Sequence, residues 1–417
     1  MKLPQMVDIK QNFPHRRLED VTGAVNQELH RSGLAERIKP GQRVGITAGS
    51  RGITNITVIL AAVVEFIKSL DAQPEIIAAM GSHGGGTGDG QRQILEALKI
   101  TPDNVGAPVR TGAECRQVGV IDGGIPVYGT EIARRCDAIV VVNRVKEHTA
   151  FHGPAESGLQ KMITVGLGGP EGARTLHRSG AAELHRIIPA AARLIMEHLP
   201  VVMGLAILED AYKDTMKITA LTPEQFIAGE EELLKEARKI LPRLPVDNLD
   251  LLIVEKMGKN YSGTGMDTNV IGRMRVMGVH EPESPRIRHI AVLDLTDESH
   301  GNANGVGLAD FTTRRLVKKI NWDVTIKNVL TSTFVKRAMQ PITLPDDRAA
   351  IEAALESLGN VQPEEARVIQ IKNTLQLAGM RVSAPLLSEL RQKQNVEITS
   401  QPEEMTFDLK GRLAPLP

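Results

Sequence analysis

Short apolar runs of strand length recur along this chain, each followed by a glycine-rich or polar turn and then a stretch of helical period. That alternation reads as α/β architecture with parallel strands. The first unit runs from Arg43-Val44-Gly45-Ile46-Thr47 through the turn Gly49-Ser50-Arg51-Gly52 into an amphipathic stretch over 57–70. The second runs from Glu75 to Met80, through Gly81-Ser82-His83-Gly84-Gly85-Gly86-Thr87-Gly88, into a helix over 89–99 with Asp89 near its N-cap. A third strand, Ala138 to Val142, opens a long polar stretch reaching Lys161, and a fourth, Met203 to Leu208, ends at Glu209-Asp210. At 417 residues the chain exceeds one compact core and falls short of three, so two domains with a cleft between them are expected. Pro242 and Pro245 follow a helix over 223–240 and place the boundary, giving an N-terminal domain 1–245 and a C-terminal α/β domain 246–417 that closes over the substrate. The second half restarts at Leu251 to Val254 and Ile290 to Leu295. Helices follow over 309–320, 325–339 and 348–358, then a strand over 368–371 and a loosely held tail over 400–417.

Composition removes several classes of function. Lys+Arg 50 against Asp+Glu 50 leaves no net charge, and only 3% of residues are aromatic, so both the basic field and the stacking surfaces of nucleic-acid binders are missing. No apolar run approaches the ~18 to 20 residues of a membrane span. The first thirteen residues hold Asp8 and no apolar core of a secretory signal. Cys115 and Cys136 form neither a disulfide framework nor a metal-binding cluster, and read as structural thiols of a cytoplasmic protein.

In open α/β sheets, ligands bind beyond the carboxyl ends of the strands. The chemistry-capable residues collect there: Arg51 after the first strand, His83 after the second, Asn143 to His152 after the third, and Lys256, Lys259 and His300 after strands of the second half. The loop 81–90 holds six glycines besides His83, which suits either tight turns or the approach of backbone amides to an anion. Neither G-x-G-x-x-G nor G-x-x-x-x-G-K-[ST] occurs, so dinucleotide and P-loop sites lose support. His148 and His152 are four apart, which would align them on a helix face; Lys161 follows in Ser157-Gly158-Leu159-Gln160-Lys161, and His177 comes 16 residues after it. Such a set admits a metal, a general acid/base pair or an amine nucleophile. Compact zinc patterns are absent. His15, His30, His185, His198, His280 and His289 read as ordinary hydrogen-bonded or surface residues. Arg51 can grip a carboxylate with both arms of its guanidinium.

The ordered elements Gly81-Ser82-His83, then Asn143-Arg144-Val145-Lys146-Glu147-His148-Thr149, then Ser157-Gly158-Leu159-Gln160-Lys161-Met162, then Gly172-Ala173-Arg174-Thr175-Leu176-His177 resemble the nickel-pincer lactate racemase family. The stretches 262–273 and 296–302 resemble its large, mostly uncharacterised branch, so the likeness covers about 40 to 320. The resemblance implies that Lys161 carries a covalently tethered nickel-pincer nucleotide, a pyridinium 3-thioamide-5-thiocarboxylic acid mononucleotide whose two sulfurs and one ring carbon hold nickel. It implies His177 as the protein's nickel ligand, a role imidazole suits beside soft sulfur. His83 and His148 become the acid/base pair, with His152 as the alternate for the second, and Arg51, Lys259 and His300 contact the substrate.

The implied activity is that of an isomerase: a cytoplasmic racemase or epimerase of a 2-hydroxy acid, acting by reversible hydride removal from Cα through a 2-keto acid. Its implied partners are the small-molecule substrate and the enzymes that make the cofactor, with homo-oligomerisation left open. The family's aspartate three residues before the arginine is here Ala48, which argues against lactate and for a larger or more polar hydroxy acid. Two other readings remain: a lyase or aldolase using Lys161 as a Schiff base, and a non-catalytic module binding an anionic metabolite.

Overall fold

The strand Arg43–Ala48 pairs in parallel with Gln73–Ala78 on one side and with Ala138–Arg144 on the other. This trio is the centre of a six-stranded sheet in the order Val109–Arg110, Gln73–Ala78, Arg43–Ala48, Ala138–Arg144, Val201–Glu209, Thr215–Leu221, parallel except for the last strand. Both faces are covered, which is why the strands read as unbroken apolar runs. Val140 and Val142 join one core with Ile46, Ile76 and the helix Ile56–Lys68, while Ile139 and Val141 join the opposite core with Ile163, Ile195 and Phe226. A separate hairpin pairs Cys115–Ile121 with Ile125–Thr130. Both cysteines are free thiols.

In the computed structural model, which describes residues 1–417, these elements belong to one compact unit, Pro14–Leu241. The other unit combines Met1–Phe13 with Pro242–Pro417. It holds an eight-stranded sheet in which Ile342–Leu344, Phe311–Thr313, Arg286–Leu295, Asn248–Met257 and Val368–Ile371 run parallel, followed by the antiparallel Gly379–Ser383, Met6–Gln11 and Val396–Ile398. Leu252 and Val254 face one core of this unit, and Leu251 and Ile253 the other.

Several expectations are revised. A contiguous 1–245 unit fails at its start, because Met6–Gln11 completes the C-terminal sheet between Gly379–Ser383 and Val396–Ile398. The helix expected over 309–320 is a strand, Phe311–Thr313, followed by the shorter helix Arg314–Lys319; Thr313 ends the strand and caps the helix by accepting the Leu316 amide. The helix expected over 325–339 is Trp322–Ser332 with a separate 3₁₀ turn, Val335–Ala338. The tail is held: Leu413 and Leu416 are buried, and the Leu416 amide donates to Glu255. No helix is long and apolar enough to cross a membrane.

Candidate active site

The chain steps outward from Arg43–Ala48 to Gln73–Ala78 and Val109–Arg110, then returns to Ala138–Arg144 on the other side of its starting strand. Loops diverge at such a switch point, leaving a crevice at the carboxyl ends of the strands. The loops that meet there carry Ser50-Arg51, His83 and Lys146 to His148.

His83 follows Gln73–Ala78. Its Nδ1 lies 2.9 Å from the Met80 carbonyl oxygen and 3.0 Å from Ser50 Oγ. A carbonyl only accepts, so Nδ1 carries the hydrogen and Nε2 is the basic nitrogen of the neutral ring. The glycines after it pack backbone on backbone: a Cβ on Gly90 would lie 1.9 Å from the Gly84 carbonyl oxygen. The following helix, Gly88–Ala97, is capped by Thr87, whose hydroxyl accepts the Gly90 amide, with Asp89 in its first turn.

His148 is set the other way round. Its Nδ1 accepts the Ala150 amide at 3.1 Å, so the neutral ring carries its hydrogen on Nε2, and the ring packs on Phe151 with centroids 4.4 Å apart. The backbone amide of His148 donates to Glu156 Oε2 at 2.6 Å. His148 and His152 do not share a helix face, because the segment is a loop pinned by Glu156 rather than a helix. The fully buried Glu156 takes donors from His148, Gly153 and Arg238 and lies 3.1 Å from Nδ1 of His152. Burial pulls the Glu156 carboxyl up, but these hydrogen bonds bring it below its ordinary value, and the Glu156 contact raises His152. His152, the alternate base, is exposed and bound to that carboxylate.

Lys161 ends the single turn Leu159–Lys161, which continues as a π-helical segment, Met162–Leu167, and then as the helix Gly169–Arg178 bearing His177. π segments are uncommon and concentrate at functional sites. Here one lies between the two residues expected to hold the cofactor. Burial, then the charges of Lys146 and Arg51, push the Lys161 amine down to about 7, so much of it is an uncharged nucleophile near neutral pH. Burial, then Lys161 and His83, push His177 down to about 4, leaving an imidazole with a lone pair for a metal. Arg51 keeps solvent exposure, yet desolvation and the nearby Arg144 lower it from its ordinary value. Lys161 therefore lies within electrostatic reach of Arg51 and Lys146, and His177 within reach of Lys161 and His83. Buried polar atoms without partners occur in the same unit: the Gln160 side-chain amide, next in sequence to Lys161, and the Thr130 hydroxyl.

Lys259 and His300 lie in the other unit, in loops after Asn248–Met257 and Arg286–Leu295. The Lys259 ammonium donates to the Gly263 carbonyl at 2.7 Å and to Asn328 Oδ1 at 2.6 Å, while His300 is exposed in a left-handed turn, φ 47°. Among the residues expected to be ordinary, His15 lies 2.7 Å from Asp214, close to Asp210. The sequence reading missed Glu156, Glu230 and the part played by Ser50. Each acts through a hydrogen bond to a residue far enough along the chain, or variable enough in spacing, to leave no local pattern.

A sheet of five parallel strands and one antiparallel edge strand, covered on both faces and with a switch point in its strand order, defines an α/β architecture. Residues 5–186 match the model of the lactate racemase N-terminal domain family. The lactate racemase apoprotein from Thermoanaerobacterium thermosaccharolyticum shares the fold at a TM-score of 0.52 and 14% identity, over 89% of this chain and 98% of that one. No curated protein matches.

Proposed function

We propose that this protein is a racemase or epimerase of a 2-hydroxy acid that works with a nickel-pincer nucleotide tethered through Lys161. The observation that carries the reading is the closeness, within the matched segment, of a lysine amine at about 7 to an imidazole at about 4 that also feels His83, with His83 and His148 in opposite tautomers in loops after the two strands that flank Arg43–Ala48. The donor set fits the group. An uncharged amine can be acylated by the cofactor's carboxyl, and a neutral His177 can ligate nickel. When bound, the group supplies an electrophile for the Cα hydride, a task no side chain performs.

The chain's own residues do the rest. Arg51 binds the substrate carboxylate. His83, basic at Nε2, takes the hydroxyl proton of one enantiomer as the Cα–H bond breaks, leaving a planar 2-keto acid. His148, carrying its hydrogen at Nε2, returns a proton to the oxygen when the opposite face is reduced. For the reverse direction the two exchange roles. The loss of a carboxylate at Ala48, buried at the end of its strand, supports a substrate other than lactate, larger or more polar.

Co-production with the cofactor-making enzymes is expected to add mass to the Lys161 peptide and to bring stoichiometric nickel; an unmodified Lys161 under those conditions sinks the proposal. The amine at about 7 also suits a Schiff base with a keto acid, and borohydride trapping of candidate keto acids on Lys161 would favour that lyase reading instead.

A further inference from the structure

The first amides of a helical stretch have no partner within it. Lys161 lies in the opening turn, Leu159–Lys161, of the stretch that runs on through Met162–Leu167, so the amides of that turn take partners from outside. Two side chains clamp it. Asn143, at the end of Ala138–Arg144, donates from Nδ2 to the Gly158 carbonyl at 2.7 Å. Glu230, on the helix Phe226–Ile240, accepts the Gln160 amide at Oε2, 2.9 Å away, and faces the Leu159 amide as well. Glu230 is fully buried on a face otherwise made of Phe226, Leu233, Leu234 and Ala237. A carboxyl group in such a place is costly unless it satisfies donors, and the donors it satisfies are those at the start of the lysine turn. The glycine before that turn has the same origin: a Cβ on Gly158 would lie 2.5 Å from Glu230 Oε1 and 3.2 Å from Val145 Cγ2.

We propose that Glu230 is the positioning residue of Lys161, holding the turn from behind so that the amine stays beside Arg51 and Lys146. Glu230 touches neither substrate nor cofactor in this assignment; it acts through the Gln160 and Leu159 amides. The inference rests on the reading of Lys161 as the reactive amine, but not on whether a cofactor is attached to it.

The test is the rate at which Lys161 of the full chain, prepared without the cofactor-making enzymes, is acylated by acetic anhydride at ~pH 7, read by peptide mass spectrometry against exposed Lys235 in the same molecule. Wild-type Lys161 is expected to react faster than Lys235. Glu230→Ala should slow Lys161 at least ~10-fold with Lys235 unchanged, and Glu230→Gln, which keeps an oxygen for the Gln160 amide, should restore the rate to within ~3-fold of wild type. Asn143→Ala releases the other side of the clamp and should slow Lys161 in the same way, which decides the matter if the Glu230→Ala chain does not fold. A wild-type Lys161 rate in folded Glu230→Ala or Asn143→Ala protein overturns the proposal, as does a Gln variant as slow as the Ala variant. Because no step uses the pincer group, failure of the tethering proposal would leave these rates measurable and their meaning unchanged.

Discussion

Ser50 Oγ lies 3.0 Å from Nδ1 of His83, tying the loop after Arg43–Ala48 to the loop after Gln73–Ala78. The Met80 carbonyl shares the same nitrogen at 2.9 Å, so the ring keeps its tautomer if the serine is lost but gains freedom to tilt. For the racemisation proposed above, Ser50→Ala is therefore expected to lower kcat by ~3- to 10-fold while leaving the thermal midpoint within ~1 °C. Steady-state kinetics beside a melting curve check it, and an unchanged kcat would remove Ser50 from the site.

The Glu156–His152 pair should shape stability against pH. The carboxyl of Glu156 is held below its ordinary value, so its contribution is present above the ordinary carboxyl range and is lost as pH falls through the folded value. His152 is raised by Glu156, so its contribution is full below the ordinary histidine value, while Glu156 is ionised, and is lost as pH rises through the raised value. His152→Ala should abolish the alkaline decline and weaken the acid limb, since His152 is foremost among the groups that lower Glu156, whereas Glu156→Gln should flatten both limbs. Melting temperatures from ~pH 3 to ~pH 9 would show it.

Glu209 holds two elements at once. It pairs with Arg144 at the end of the neighbouring strand, where Arg144 and Glu209 are 17% and 4% exposed, and its Oε1 accepts the Thr54 amide at 2.7 Å. Glu209→Ala strands a buried guanidinium and an amide together, and should cost about 3–5 kcal/mol in denaturant unfolding. Glu209→Gln, which keeps the amide bond and loses only the charge, should cost less.

Gly90→Ala tests the loop after His83. The new methyl would meet the Gly84 carbonyl at 1.9 Å, a backbone atom that cannot swing aside. A loss of at least ~2 kcal/mol is expected, and the proposed activity should fall as His83 shifts. Chemical denaturation measures the first; a stability equal to wild type would contradict the packing described for this loop.

The parallel strands were readable because their faces are both buried, which turns Ile139 to Val142 or Leu251 to Val254 into unbroken apolar runs. The motif residues were readable because four short elements appear in order, and their glycines, histidines and lysine have few other uses together. The region from His148 to His152 misled, since a spacing of four is helical only if backbone amides pair along the chain. Glu156 takes the His148 and Gly153 amides instead. The segment after Ala309 misled for a related reason: Phe311 and Thr312 find partners on Ala291 and Val292, about twenty residues back, and a strand partner leaves no mark in local periodicity.

What the sequence determined by itself is the alternation of strands and helices, and the chemical inventory: Arg51, His83, His148, Lys161 and His177 in family order. What only the tertiary structure decided is how that inventory is poised. Strand order places three loops at one switch point; Met80 and Ala150 set the tautomers of His83 and His148; burial lowers Lys161 and His177; and Met6–Gln11 is delivered to a sheet whose other strands begin at Asn248. Glu230 reaches the lysine turn across seventy positions of chain. Each of these depends on desolvation and on hydrogen-bond partners distant in sequence, and both quantities exist only once the chain has folded.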